Sequence, residues 1–232
     1  MMVSLVFLLQ LQFCPLHAQD TSAISFPEIR DYIEELYGPS ADLINGEKYH
    51  YPYSYSKGDP FLNLPGNHDA SIQIKGKVYE KQEIKYDIYN HLVVLEINEK
   101  NGVSGSIVLR NEWLDQLILG GFQFKKFPDE FGVERFGQVI FEGKTTCFYF
   151  WKKRYMLDIM VGENHYSFSD PIRQPFIMVN GHAYPYTGMR SFLKCFSRQD
   201  QLNIRTYLKE NRIRFRKATD QEMQSLMEYI NQ

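Results

Sequence analysis

The sequence predicts a mainly β fold of the α+β class: an antiparallel curved sheet, sandwich or partly closed barrel with an N-terminal helix and C-terminal helices. Three observations lead there. Ile84, Tyr86 and Ile88 alternate with Lys85, Asp87 and Tyr89, the period-two pattern of a strand with one buried face. Short apolar segments follow one another with turn residues, and no long helix, between them, which makes neighbouring strands antiparallel. Aromatic residues form 15% of the chain, with 16 Tyr and 17 Phe, and such side chains pack well across strands.

Ile84–Ile97 is the stretch on which the sheet is expected to be organised. Asn90-His91 interrupts it, and Leu92-Val93-Val94-Leu95, apolar on both sides, belongs at a sheet centre. Asn98–Gly102 supplies turn chemistry before a strand at Ser106–Leu109. Upstream, Ser25, Pro27 and Glu28 open a helix with a capping box. Its stripe of Ile29, Ile33 and Leu36 ends at Gly38-Pro39. Tyr49, Tyr51, Tyr53 and Tyr55 recur at every second position, so on a strand all four share one face, either half-buried under a loop or helix with the hydroxyls reaching water or open as a stacking platform for a sugar or peptide. Pro52 removes a backbone donor and places that strand at an edge or bulge. Ser71–Lys75 and Lys77–Lys81 form a hairpin about Gly76.

Asn111 caps a single helical turn, Glu112–Gln116, and Leu117–Phe124 reads as one strand. Gln138–Phe141 and Thr145–Lys152 flank a turn at Gly143, and Tyr155–Val161 and Tyr166–Phe168 continue the sheet. Asn180-Gly181, between Phe176–Val179 and Ala183–Tyr186, is the strongest hairpin signal in the chain. Beyond Tyr186 the period becomes helical over Met189–Phe196 and Gln199–Asn211. Ile213 and Phe215 alternate with arginines as a short strand or extended link. Thr219-Asp220-Gln221-Glu222 is a capping box for a last helix with Met223, Leu226, Met227 and Ile230 on one face. The expected organisation is a leader over residues 1–19, a β-rich domain over 20–187 and a helical part packed on it over 188–232.

At 232 residues and a net charge of −2, the chain has no global field that would draw it to nucleic acid or an anionic membrane. Val3–Phe13 is almost wholly apolar, of the length of a signal-peptide core and too short for a stable membrane span. Leu16-His17-Ala18 presents a small residue for cleavage near Ala18 or Gln19. The chain is therefore expected to be exported, to the periplasm or the cell surface, and no later segment has the length and apolarity of a spanning helix. Lipid attachment at Cys14 is disfavoured because bulky Phe13 stands where a small residue belongs. Cys147 and Cys195 remain after cleavage. Their spacing does not establish a disulfide.

Several motifs suggest enzymes and lack the residues those enzymes need. Gly66-Asn67-His68-Asp69 matches a metal-binding block of calcineurin-like phosphoesterases. The companion D-x-H is missing, Gly58–Leu62 lacks the second acid of G-D-x-x-D, and Gly181–Tyr184 lacks the second His of G-H-x-H. Gly143-Lys144-Thr145 misses the earlier glycine of a phosphate-binding loop and lies between strands. Ser191-Phe192-Leu193-Lys194 is an S-x-x-K without its S-D-N and K-T-G partners. Arg212, Arg214 and Arg216 fit a solvated face, or a patch for an anionic partner. His50, His68, His91, His165 and His182 show no metal-ligand spacing, so no metal and no cofactor is expected.

The blocks Leu43–Gly46, Lys57–Leu62, Ile84–Val94 and Ile204–Asn211 resemble a family of exported, functionally uncharacterised proteins from Gram-negative gut bacteria. The resemblance implies an exported β-rich protein and no reaction or catalytic residue. The favoured function is a non-catalytic binding or assembly protein whose contact surface is formed by Tyr49, Tyr51, Tyr53 and Tyr55 with the Gly58–Ala70 loop. Its partner would be a protein, a peptide or a glycan. The alternatives are a hydrolase with a loop-built metal site around His68, Asp69 and His182, and a carrier of a lipid or small ligand.

Overall fold

The computed structural model describes residues 43, 46–64, 70–98, 104–160 and 163–232. The expected leader and N-terminal helix, the Asn98–Gly102 turn beyond Asn98, and His68 and Asp69 lie outside the described residues. Ala41–Gln232 forms one unit, predominantly antiparallel β with helices at its C-terminal end.

Two sheets face each other, and a separate hairpin projects from them. In the four-stranded sheet, β1 (Glu47–Lys48) pairs with β6 (Ser104–Val108), then β5 (Leu92–Asn98), then β4 (Ile84–Asp87). The larger sheet runs in the order β14 (His182–Pro185), β13 (Ile172–Val179), β10 (Thr145–Lys152), β9 (Glu134–Phe141), β8 (Phe122–Pro128), β7 (Leu114–Leu119), β2 (Ala70–Ile74) and β3 (Lys77–Gln82). The projecting hairpin is β11 (Tyr155–Met160) with β12 (Glu163–Phe168). Neither large sheet closes into a barrel, and the two share one apolar core.

Ile84–Ile97 is central only to the smaller sheet. Val93, Val94 and Leu95 are buried there, as their two-sided apolar pattern requires. The strand on which the larger sheet depends is β10, buried at every position from Thr145 to Trp151. Its odd-numbered Cys147 and Tyr149 meet the C-terminal helices, while Phe148 and Phe150 join Phe127 and Phe176 on the opposite face. A second core lies between the sheets, where Ile84, Tyr86, Val93 and Leu95 oppose Ile72, Leu117 and Phe124. The Tyr86 hydroxyl crosses that core and donates to the Phe136 carbonyl at 3.0 Å.

The turns follow backbone sterics. Lys75-Gly76 and Asn180-Gly181 take positive φ at both positions, the geometry that matches strand twist in a two-residue hairpin. The segment Leu117–Phe124 is two strands rather than one. Gly120-Gly121, with φ of 57° and 79°, reverses the chain between β7 and β8. Asn111–Trp113 is a 3-10 turn and strand β7 starts at Leu114, earlier than the predicted helical turn allowed. Ile213 and Phe215 do not form a strand. Phe215–Lys217 is a 3-10 turn, and the Phe215 ring inserts beside Phe192 and Tyr186, so packing against the helices takes the place of strand pairing.

Helix α1 (Met189–Leu193) is followed by α2 (Arg198–Glu210) and α3 (Asp220–Ile230). The Thr219 hydroxyl accepts from Glu222 N at 3.2 Å, and Thr219 N donates to the Glu222 carboxylate at 2.7 Å, completing the predicted capping box. Ile204, Leu208, Met223, Leu226 and Met227 are buried on the sheet side. Both ends of α3 are also tied to the sheet by polar groups. At its start Asp220 pairs with Arg173 at 2.6 Å and accepts from Gln138 at 3.2 Å. At its end the Asn231 amide pairs with both backbone groups of Thr145, at 2.8 and 3.2 Å. Cys147 and Cys195 are free thiols. Burial pushes the Cys147 thiol up to about 12.

Candidate functional site

The tyrosine repeat is not a strand. Tyr49 N still donates to the Ser106 carbonyl at 2.8 Å, continuing the β1–β6 pairing by one bond. Beyond it the chain runs without strand pairing as far as Tyr53, and Ser54 begins a turn. The segment is instead strapped across the edge of β4 and the base of the β11–β12 hairpin. Phe61 bridges Asp87, and Leu62 N donates to the Tyr86 carbonyl at 2.8 Å. Lys57 N donates to the Tyr166 carbonyl at 2.8 Å, and Phe168 N returns a bond to the Lys57 carbonyl at 2.9 Å. Pro52 is compatible with this arrangement because an unpaired segment needs no donor at that position.

The strap brings together rings that are remote in sequence. Tyr53 is the hub, with centroid distances of 5.7 Å to Tyr51, 6.0 Å to Tyr89, 5.3 Å to Tyr155 and 4.9 Å to Phe168. Tyr51 and Tyr49 continue the cluster to Phe61, and Tyr155 stacks on Tyr166 at 5.0 Å. Tyr55 does not join it: the turn carries its ring away, leaving it 96% exposed. Edge-on aromatic pairs of this kind add about 0.5–1.5 kcal/mol each beyond area burial, so the cluster positions itself as well as presenting a surface. Its outer members Tyr51, Tyr89 and Tyr166 are 39, 38 and 49% exposed.

Asp87, fully buried at the end of β4, organises the site from below. Its Oδ1 accepts from Tyr89 N at 3.0 Å and Asn90 N at 2.8 Å, closing the β4–β5 turn. Its Oδ2 accepts from the Asn90 amide at 2.8 Å and the Tyr49 hydroxyl at 3.2 Å. The same Asn90 amide donates to the Tyr53 hydroxyl at 3.1 Å. One carboxylate thus orients Tyr49, Tyr53 and Tyr89. Burial, followed by the Asp87 charge, holds the Tyr49 hydroxyl above its ordinary value, and burial does the same to Tyr51 and Tyr53. All three stay neutral hydrogen-bonding groups near neutral pH.

The hairpin extends the apolar surface outward. Tyr155 lies opposite Phe168 and Leu157 opposite Tyr166, so these four share a face with Ile159. Leu157 is 45% and Ile159 80% exposed. β12 is bridged to the strap through Lys57, whereas among the described residues no strand pairs with the outer edge of β11.

The expected contact residues thus divide. Tyr49, Tyr51 and Tyr53 meet in one cluster, and Tyr55 stands apart. The part of the Gly58–Ala70 loop that is described includes Asp59, where burial raises the carboxyl but bonds from Asn63, Phe61 N and Lys153 outweigh it and hold it below the usual range. Sequence reasoning missed Tyr89, Tyr155, Tyr166, Phe168 and Asp87. The alternating Tyr155-Leu157-Ile159 pattern was visible, but alternation alone does not say whether the apolar face is covered. His182 opens β14 and is exposed, and among the described residues no group of three or more His, Cys, Asp or Glu could hold a metal ion. No helix among the described residues is long and apolar enough to cross a membrane. Ser191 of the S-x-x-K segment uses its hydroxyl to cap α1, accepting from Thr187 N and Gly188 N at 3.0 and 3.2 Å. No protein-family model, no curated protein and no solved structure matches this chain.

Proposed function

We propose that the chain is an exported binding or assembly protein, and that it engages an extended segment of a partner protein along β11 and the adjoining aromatic cluster. The observation that carries this reading is the joining of a strand edge, which no strand among the described residues pairs with, to an exposed apolar face. Leu157 and Ile159 project from one face of β11, beside that edge, and the face runs on through Tyr155, Tyr166 and Phe168 to Tyr53 and Tyr51. An isolated two-stranded hairpin is marginal in water, and an open edge with alternating apolar side chains is the geometry of strand addition. Export rests on the Val3–Phe13 segment.

A protein partner is favoured over a glycan by the ring geometry. Tyr53 meets Tyr51, Tyr89 and Phe168 at 81°, 85° and 89°, so the hub offers no broad coplanar face for a sugar ring. Exposed Leu157 and Ile159 have no function in sugar stacking and an evident one in an apolar protein contact.

The test is site-specific photocrosslinking from Ile159→p-benzoylphenylalanine in cells that produce the chain, with Leu202→p-benzoylphenylalanine, on exposed α2, as control. The expected result is a protein adduct of discrete mass from position 159, absent from position 202 and suppressed by Tyr51→Ser with Leu157→Ser. Equal adducts from both positions, or adducts indifferent to those substitutions, would overturn the reading.

A further inference from the structure

A second concave region lies between β10, β13 and the C-terminal helices. It is a cleft of about 470 Å³, within the size range of small-molecule sites. Its floor is apolar and aromatic: Tyr149 and Tyr186 are 7 and 6% exposed, Met223 is buried, and Phe215 leans on Tyr186 at 6.0 Å. Its rim carries two guanidinium groups, Arg173 and Arg216.

The two arginines are electrostatically unequal. Arg173 is neutralised by Asp220 at 2.6 Å and stacks over Tyr149 and Trp151 at 5.3 and 4.8 Å. Its charge is thus already engaged by the carboxylate and the two rings. Arg216 has no ion-pair partner among the described residues, and it sits beside Gly188, where a side chain would come within 3.8 Å of its Nε. The cleft therefore combines a ring-lined floor with one uncompensated positive charge at its mouth.

We infer that this cleft binds a small amphipathic monoanion, with an apolar ring body against Tyr149, Tyr186 and Phe215 and a carboxylate, sulfonate or phosphodiester head on Arg216. A guanidinium presents paired donors to such oxyanions. Placing the charge at the rim and the rings below orients the ligand head outward. The inference is independent of the aromatic cluster at Tyr53, which shares no residue with the cleft.

The experiment uses the full chain and two probes of nearly the same shape. One is 8-anilinonaphthalene-1-sulfonate. The other is N-phenyl-1-naphthylamine, which lacks the sulfonate. Fluorescence titration is expected to show one saturable site that favours the sulfonate by about tenfold or more, the difference made by one charge-assisted contact. Arg216→Ala should abolish that preference while leaving the neutral probe bound. Ala218→Trp, which fills the cleft from its lip, should remove both. Tyr51→Ser with Tyr89→Ser should change neither. Equal affinity for the two probes in the native chain, or loss of binding on the Tyr51/Tyr89 substitutions and not on Ala218→Trp, would overturn the inference. Circular dichroism of each variant separates loss of the site from loss of the fold.

Discussion

Replacing Asp87 with alanine should be among the most damaging single changes available near the candidate surface. The side chain is fully buried and accepts four hydrogen bonds, from two backbone N–H groups, the Asn90 amide and the Tyr49 hydroxyl. A bond to a charged acceptor contributes about 1.5–3 kcal/mol net when its donor is otherwise left dry. Tyr89 and Asn90 are exposed, so water can recover much of what their donors lose. The half-buried Tyr49 hydroxyl and the emptied space recover less. The expected loss is about 3 kcal/mol, well below the sum of four full bonds. Tyr49→Phe, which removes one bond and no volume in the core, should cost about 1 kcal/mol. Urea unfolding followed by far-UV circular dichroism measures both, with unchanged m-values expected. Near-UV circular dichroism should report loss of ring order around Tyr53 in Asp87→Ala and only a small change in Tyr49→Phe. A loss under about 0.5 kcal/mol for Asp87→Ala, the range of an ordinary surface substitution, would refute the view that this carboxylate holds the site together.

Other substitutions probe the scaffold. A β-carbon at Gly137 would meet Phe148, Phe127 and Phe150 at 3.0, 3.1 and 3.3 Å, so Gly137→Ala should cost about 1–3 kcal/mol by overpacking in urea unfolding. Thr219→Ala removes the α3 cap and should cost about 1 kcal/mol in the same assay, with α3 hydrogen exchange rising first. His91 gives a pH test. Burial, then the neighbouring Arg135, holds its pKa below the ordinary value, against weaker opposing effects from Asp87 and Asp129. Arg135 donates to its Nε2 at 3.1 Å, which requires the ring to be neutral. The unfolded state therefore takes up the proton first. His91 contributes stability fully above about pH 6.5, the unfolded value, and loses it as pH falls below that toward the folded one. His91→Gln should flatten this part of the stability profile, and an unchanged slope would show that other groups control it.

The local elements were legible because their causes are local. Asn180-Gly181 and Lys75-Gly76 supply the positive φ that a two-residue hairpin needs, and the Thr219–Glu222 capping box closes within one helical turn. The two-sided apolar pattern of Leu92–Leu95 required a sheet interior and found one. Gly120-Gly121 is as explicit a turn signal as the others, and a glycine pair inside an apolar run is enough to divide it into two strands. The tyrosine repeat was visible as well, and Tyr49, Tyr51 and Tyr53 share one aromatic cluster, although not as one face of a strand.

By itself, then, the sequence determined that the chain is β-rich and antiparallel, where most hairpins turn, and which face of the last helix is apolar. These follow from backbone sterics and from periodicities that repeat within a few residues. Only the tertiary structure decided that Thr145–Trp151 would be covered on both faces, that Tyr53 would meet the sequence-distant rings of Tyr155 and Phe168, and that the Tyr155–Phe168 hairpin would stand outside both sheets. Alternation marks a strand with one apolar side. Whether that side is buried or presented depends on which distant strands reach it, and that pairing is a property of the whole chain.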